Sequence, residues 1–271
     1  MGKKRGLTAF VLSGGGVFGA LQVGMIRALY EREIYPDLVV GCSVGALNGA
    51  VLCQWPGPQG LGRLIRTWGG STDAHIFSGN RLVRLLLGLR QDHLYARDGL
   101  EKLIDSNLVF ERIEDLPVRL KVVACDLDTG EEVVFSRGPL RPALLASTAL
   151  PGAFPPVYYE GRRLIDGGVV DNVPISVADE KGVRRIFVLN VSSEVEAGRI
   201  RSAWDVMYQA FSIAKSQRWL SEVKKYSEDP RVVVLPKPDY PGLAFDEFTK
   251  SDELIEEAYR MSKEYLERAA A

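Results

Sequence analysis

Asp37-Leu38-Val39-Val40-Gly41-Cys42-Ser43-Val44-Gly45-Ala46-Leu47-Asn48-Gly49-Ala50-Val51-Leu52 is the stretch on which the fold turns. An apolar run reads as a short buried strand, a turn crowded with small residues follows, and a helix comes after it. Gly41 to Gly45 spell G-x-S-x-G. A serine placed where a strand turns sharply into a helix is pushed out of the sheet into a strained, exposed position, and the flanking glycines let backbone and helix pass closely enough to permit it. The free N–H groups at the start of that helix, with the positive end of its dipole, suit an oxyanion forming beside Ser43, so the stretch reads as a nucleophile elbow. The five-residue pattern alone arises often by chance. Its strand-turn-helix setting is what gives it chemical meaning.

Upstream, Leu7 to Leu12 reads as a strand, Ser13-Gly14-Gly15-Gly16-Val17-Phe18-Gly19 as a turn, and Ala20 to Tyr30 as a helix with Leu21, Met25, Ala28 and Leu29 on one face. Gly14, Gly16 and Gly19 satisfy G-x-G-x-x-G, which raises a nucleotide-binding oxidoreductase as one reading. That reading calls for an acidic residue at the end of the second strand to hold a ribose. The second strand ends instead in Gly41-Cys42-Ser43, with Asp37 ahead of it. A better use of consecutive glycines is to bring bare N–H groups beside Ser43 as a second wall of an oxyanion hole.

Composition bounds the function class. The chain has 271 residues, 46% hydrophobic and 25% charged, with a net charge of -1, which fits one α/β domain and argues against nucleic acid as a partner. Leu7 to Leu12 is too brief for a signal peptide or a membrane span, and Gly6 stands where a myristoylation site needs serine or threonine. Cys42, Cys53 and Cys125 leave one thiol unpaired and lack metal-ligand spacing, so a reducing cytoplasm without a metal cofactor is expected.

Beyond the elbow, Gln54 to Gly62 reads as a loop on its prolines and glycines, with a helix over Leu61 to Trp68. Leu82 to Leu89 form a leucine stripe that reads as a helix packed on the sheet, with a lid or lipid-facing helix as the alternative. Val118 to Cys125 and Glu132 to Phe135 read as a hairpin around Asp126-Leu127-Asp128-Thr129-Gly130, and Arg184 to Val191 and Arg231 to Leu235 as two further buried strands. Trp204 to Val223 and Ser251 to Arg268 read as amphipathic helices, the last with Leu254, Ile255, Ala258, Met261 and Tyr265 inward and Thr249-x-x-Asp252 as its capping box. Helices alternating with strands, unbroken by linker or repeat, predict one α/β domain over residues 1–271 with a largely parallel sheet.

The only histidines are His75 and His93, and both precede most of the later strands. An α/β-hydrolase triad in the order serine, acid, histidine is therefore ruled out, and a carboxylate acting directly on Ser43 is the better base. The favoured carboxylate lies in Arg162-Arg163-Leu164-Ile165-Asp166-Gly167-Gly168-Val169-Val170-Asp171-Asn172-Val173-Pro174, where a short strand feeds Asp166 into a double-glycine turn. An isolated D-G-G would otherwise be a local turn whose aspartate caps nearby N–H groups.

Taken together, Gly14 to Gly19, Gly41-Cys42-Ser43-Val44-Gly45, Asp126 to Gly130, Ala146-Ser147-Thr148-Ala149-Leu150-Pro151-Gly152-Ala153-Phe154-Pro155-Pro156, and Asp166-Gly167-Gly168 with Asp171-Asn172-Val173-Pro174 resemble the patatin-like phospholipases and acyl hydrolases over about residues 7 to 191. The resemblance implies a three-layer α/β/α fold, a Ser-Asp dyad of Ser43 and Asp166, and an oxyanion hole from Gly14, Gly15, Gly16 and the N–H of Val44. It also implies hydrolysis of lipid acyl esters without a metal, with at most peripheral membrane contact. Many members carry lysine or arginine where this chain has Phe18, so a cation for an anionic head group is missing at that position. A non-catalytic lipid-binding protein of the same fold would not need both Ser43 and Asp166. Phe18, the Leu82 to Leu89 stripe and Phe154 to Tyr159 are the expected apolar rim. The expected activity is that of an esterase or lysophospholipase-like hydrolase, fast on short- and medium-chain aryl esters and slow on intact bilayer phospholipids.

Overall fold

The computed structural model describes residues 6–70, 95–192, 203–240 and 247–270, with no side chains described for 203–205 and 270. Eight strands form one sheet: β1 (Leu7–Leu12), β2 (Leu38–Cys42), β3 (Arg119–Asp126), β4 (Glu132–Phe135), β5 (Val157–Tyr159), β6 (Arg162–Asp166), β7 (Val183–Leu189) and β8 (Val232–Val234), in the order β5-β6-β3-β2-β1-β7-β8, with β4 also on β3. From β3 across to β8 every pairing is parallel, while β4, β5 and β6 join antiparallel. The helices are α1 (Gly19–Tyr30), α2 (Val44–Gln54), α3 (Pro58–Gly69), α4 (Asp98–Ser106), α5 (Leu140–Ser147), α6 (Ile175–Ala178), α7 (Ala203–Tyr226) and α8 (Ser251–Ala270).

Side-chain alternation along the central strands builds two cores. Phe10 and Leu12 of β1 and Leu120 and Val122 of β3 join the core beneath α1, α2, α5 and α8, while Ala9, Val11, Val40 and Val123 face α6 and the end of α7. This is the three-layer α/β/α arrangement with a largely parallel sheet. Helix α1 is buried almost all round, more widely than the one face read from its sequence, because α8, α3 and α2 pack around it.

Several expectations are corrected. Gln54 to Gly62 is not a continuous loop: α2 runs to Gln54 and α3 already starts at Pro58. Proline fits the first helical position, where its missing N–H has no partner to lose. β8 is only partly buried, as befits an edge strand. On α8 the inward residues are Leu254, Ile255, Ala258, Ser262 and Leu266, whereas Tyr265 is exposed, because the 3.6-residue repeat carries the buried stripe past it. The Thr249 box does not form: its hydroxyl lies 3.3 Å from Glu247, and a 3-10 turn over Phe248–Lys250 leads into α8, with the Ser251 hydroxyl donating to the Phe248 carbonyl. Helix α7 is two-sided but mixed: its inner side carries Phe211, Trp219 and Tyr226 together with the buried Ser212, Lys215 and Glu222, while Val206, Ile213 and Leu220 are exposed. His75, His93 and the Leu82 to Leu89 stripe lie outside the described residues.

Candidate active site

β3 serves as a ruler that aligns the two key side chains. Cys42 at the end of β2 is in register with Val123, and Asp166 at the end of β6 is in register with the next residue, Ala124. The residue after Cys42 is Ser43, so serine and aspartate come to the same level above the sheet. Ser43 has φ 54° and ψ -126°, the left-handed region that a side chain adopts only when the surroundings hold it there. Its N–H donates to the Ser147 hydroxyl at 2.8 Å, and that hydroxyl donates to the Val123 carbonyl at 2.6 Å, so α5 pins the turn to β3. A Cβ on Gly45 would stand 2.2 Å from the Leu12 carbonyl oxygen, which is why the helix after Ser43 can lie this close to the end of β1.

The Ser43 hydroxyl sits beside the Asp166 carboxylate, where it favours the ionised form. Asp166 is 2% exposed and accepts the Gly168 N–H at 2.8 Å and the Cys42 thiol at 3.8 Å. Burial raises its pKa above the ordinary carboxylate value, and the nearby Ser43 hydroxyl, the Gly168 N–H and the Lys215 charge oppose that rise. Burial, reinforced by the Asp166 and Asp171 charges, pushes the Cys42 thiol well up, so it stays protonated as a donor.

The glycine turn is held by residues that G-x-G-x-x-G does not include. The Gly14 N–H donates to the Asn172 carbonyl at 3.2 Å, and Asn172 Nδ2 donates to the Gly14 carbonyl at 3.2 Å and to the Ser192 hydroxyl at 2.6 Å. Gln22 Nε2 donates to the Ser13 carbonyl at 2.8 Å, Asn48 Nδ2 to Gln22 Oε1 at 2.9 Å, and Trp68 Nε1 to Asn48 Oδ1 at 3.1 Å. This buried chain ties α3, α2 and α1 to the loop. Because the Gly14 amide is engaged with Asn172, Gly15, Gly16 and Val44 are the expected donors whose N–H groups have no hydrogen-bond partner among the described residues. Gly41, Gly19, Gly167 and Gly168 serve the turns around this site rather than facing a ligand; a Cβ on Gly167 would meet the Val123 carbonyl oxygen at 2.5 Å.

Ser43, Asp166 and Gly14 to Gly16 line a cavity of about 150 Å³, whose remaining wall is mostly apolar and includes Leu47, Val51, Leu144 and Phe154. Phe18, expected at the rim, is buried in the core and does not line it, because it closes the 3-10 turn Gly16–Phe18 that leads into α1. Of Phe154 to Tyr159, Phe154 reaches the cavity, while Val157 is buried in β5 and Tyr158 is exposed. Sequence reading missed Lys215, a cavity-lining lysine only 7% exposed; burial lowers its pKa and the charge of Asp166 opposes this. Cys42, Cys53 and Cys125 are free and buried, and among the described residues no cluster of metal-binding side chains occurs and no helix is long and apolar enough to cross a membrane.

The sequence matches the family model described as patatin-like phospholipase over residues 10–179. It is 35% identical over 188 residues to a patatin-like phospholipase domain-containing protein of Caenorhabditis elegans, covering 68% of this chain and 13% of that protein. It is 28% identical over 281 residues to a lysophospholipase of Mycosarcoma maydis, covering 95% of this chain and 14% of that one. The chain thus spans about an eighth to a seventh of the length of these two relatives. Among solved structures, VipD from Legionella pneumophila superimposes with a TM-score of 0.53 at 16% identity, over 97% of this chain and 67% of that one, a likeness of fold. With the model match extending from β1 through both glycine turns to the segment after Asp166, the chain belongs to the patatin-like phospholipase family.

Proposed function

We propose that this chain hydrolyses carboxylic esters of lipids with Ser43 as nucleophile and Asp166 as its base. The observation that carries the reading is the register on β3 that brings Ser43, at a strained turn, level with the buried Asp166 carboxylate on the wall of one cavity. Ser43 Oγ attacks the acyl carbon while its proton passes to Asp166. The carbonyl oxygen becomes an oxyanion that accepts from the N–H groups of Gly15, Gly16 and Val44, helped by the positive end of α2. Collapse breaks the bond to the alcohol, which leaves with the proton held by Asp166, and an acyl-serine remains. Water then loses a proton to Asp166, attacks the acyl-serine, and releases the acid as Ser43 regains its proton.

A volume of about 150 Å³ is the size that takes up one benzene ring in an engineered protein cavity. A space of this volume suits a short acyl or aryl group, and a longer chain must extend towards the mouth. This supports an esterase or lysophospholipase-like activity, in keeping with the lysophospholipase among the relatives. Labelling with a fluorophosphonate followed by peptide mapping tests the reading. Ser43 should be the labelled residue and Ser43→Ala should lose both label and turnover; a label elsewhere overturns the mechanism.

A further inference from the structure

Lys215 is the charged cavity side chain that the hydrolytic cycle brings into contact with neither the ester nor the transferred proton. It lies on the inner face of α7 four residues after Phe211, with its ammonium 4.9 Å from the centre of that ring, and both residues line the cavity. Among the described residues no group accepts a hydrogen bond from it or forms an ion pair with it, although its charge acts on Asp166 and Cys42. Asp166 already accepts from Gly168 and Cys42 and faces the Ser43 hydroxyl. The three ammonium N–H donors thus face a cavity from which an entering substrate displaces water, and a neutral substrate would leave them unpaired at a cost.

Besides Lys215, α7 brings the aromatics Tyr208 and Phe211 to the cavity, and among the described residues that line it Lys215, 7% exposed, is the one cation. The direction of the reaction then says which half of the ester Lys215 meets. Asp166 must return its proton to the departing alcohol, so the alcohol leaves on the Asp166 side, the side on which Lys215 exerts its charge. Resting on the hydrolytic reading above, we propose that Lys215 receives an anionic phosphate oxygen carried by the alcohol half, which makes acyl esters of phosphate-bearing alcohols preferred over neutral glycerides. A phosphate offers several charged acceptors to the three donors.

The test compares kcat/KM on 1-butyrylglycerol 3-phosphate and 1-butyrylglycerol, with p-nitrophenyl butyrate as a third ester, for the wild type, Lys215→Met and Lys215→Arg. The wild type should favour the phosphorylated ester at least tenfold. Lys215→Met should reduce that ratio by about ten- to a hundredfold, the span of a hydrogen bond to a charged group, and Lys215→Arg should keep most of it. A wild type without preference, or a Lys215→Met that slows both glycerol esters equally, overturns the proposal, since the latter is the signature of a residue acting through Asp166. Failure of the wild type on all three esters overturns the hydrolytic reading itself. Turnover of p-nitrophenyl butyrate without charge preference overturns the Lys215 assignment alone. Should Lys215→Met not fold, the wild type still decides: glycerol 3-phosphate must inhibit p-nitrophenyl butyrate hydrolysis competitively at least tenfold more tightly than glycerol at matched ionic strength, and equal inhibition refutes the phosphate site.

Discussion

Asp166→Asn isolates the base from the architecture around it. An amide has the shape of the carboxylate, and its oxygen can still accept the Gly168 N–H that Asp166 Oδ1 holds at 2.8 Å, so the turn after β6 should survive. What disappears is the acceptor of the Ser43 proton. General-base loss typically costs about 10²–10⁴-fold, which at 1.36 kcal/mol per tenfold is about 2.7–5.4 kcal/mol of transition-state stabilisation. The donors at Gly15, Gly16 and Val44 are untouched, so a residual rate should remain. The assay is kcat/KM on p-nitrophenyl butyrate across pH, with Ser43→Ala and the double variant alongside. On the proposed dyad Ser43 and Asp166 act as one unit, so the double variant should be little worse than Ser43→Ala alone. The pH profile adds a signed test. Burial raises the pKa of Asp166, and only its ionised form takes the proton. Activity must therefore fall as pH falls through a value above the ordinary carboxylate pKa of about 3.9, and that limb should vanish in Asp166→Asn. More than a tenth of wild-type activity in a folded Asp166→Asn, or additive losses in the double variant, would refute the dyad.

His75→Gln with His93→Gln should cost less than about tenfold, since general-base loss is worth about 10²–10⁴; a loss on the Asp166→Asn scale in the same assay would move the base to a histidine. EDTA should leave ester hydrolysis unchanged, and a rate restored by added calcium would show that the N–H donors do not suffice. Asp171 is 0% exposed with Oδ1 unpartnered, and it lies near Glu222, whose Oε2 is also buried and unpartnered. Burial, with the Glu222 and Glu132 charges, raises the Asp171 pKa against the pull of Arg218, so its contribution is most favourable below the unfolded carboxylate pKa and is lost as pH rises through the raised value. Asp171→Asn should accordingly gain stability over the wild type as pH rises, by about 1–3 kcal/mol, and a melting-temperature difference that does not grow with pH would refute this.

The parts of the fold legible in the sequence are those where backbone geometry restricts the residue type. Gly45 against the Leu12 carbonyl and Gly167 against the Val123 carbonyl leave no room for a side chain, so the two turns show in the sequence as glycines. Strands buried on both faces, such as Val39-Val40 and Phe10-Val11, show as unbroken apolar runs. Residues that hold those turns through side-chain hydrogen bonds were not legible. Gln22, Asn48 and Trp68 are common residues on helices, and only the folded arrangement makes them one buried chain of donors and acceptors. Ser147 and Asn172 lay inside quoted motifs, but their partners, the Ser43 N–H and the Gly14 carbonyl, are 104 and 158 residues away in sequence.

Helix α7 shows why a periodic pattern finds faces but not their direction. Val206, Ile213 and Leu220 recur every seven residues, a spacing that by itself argues for an inward stripe. The opposite face carries Lys215 and Glu222, and each of these meets an opposite charge near the dyad: Lys215 acts with Asp166, and Glu222 lies 3.3 Å from Arg218, which in turn lies 3.8 Å from Asp171. A charge removed from water requires compensation, whereas a single exposed apolar side chain is an ordinary feature of protein surfaces. Turning the helix over would bury three aliphatic side chains but leave Asp166 and Asp171 without their cations in a site shielded from solvent. The helix face is therefore set by two aspartates contributed by the β6 turn, and no window on α7 alone contains them.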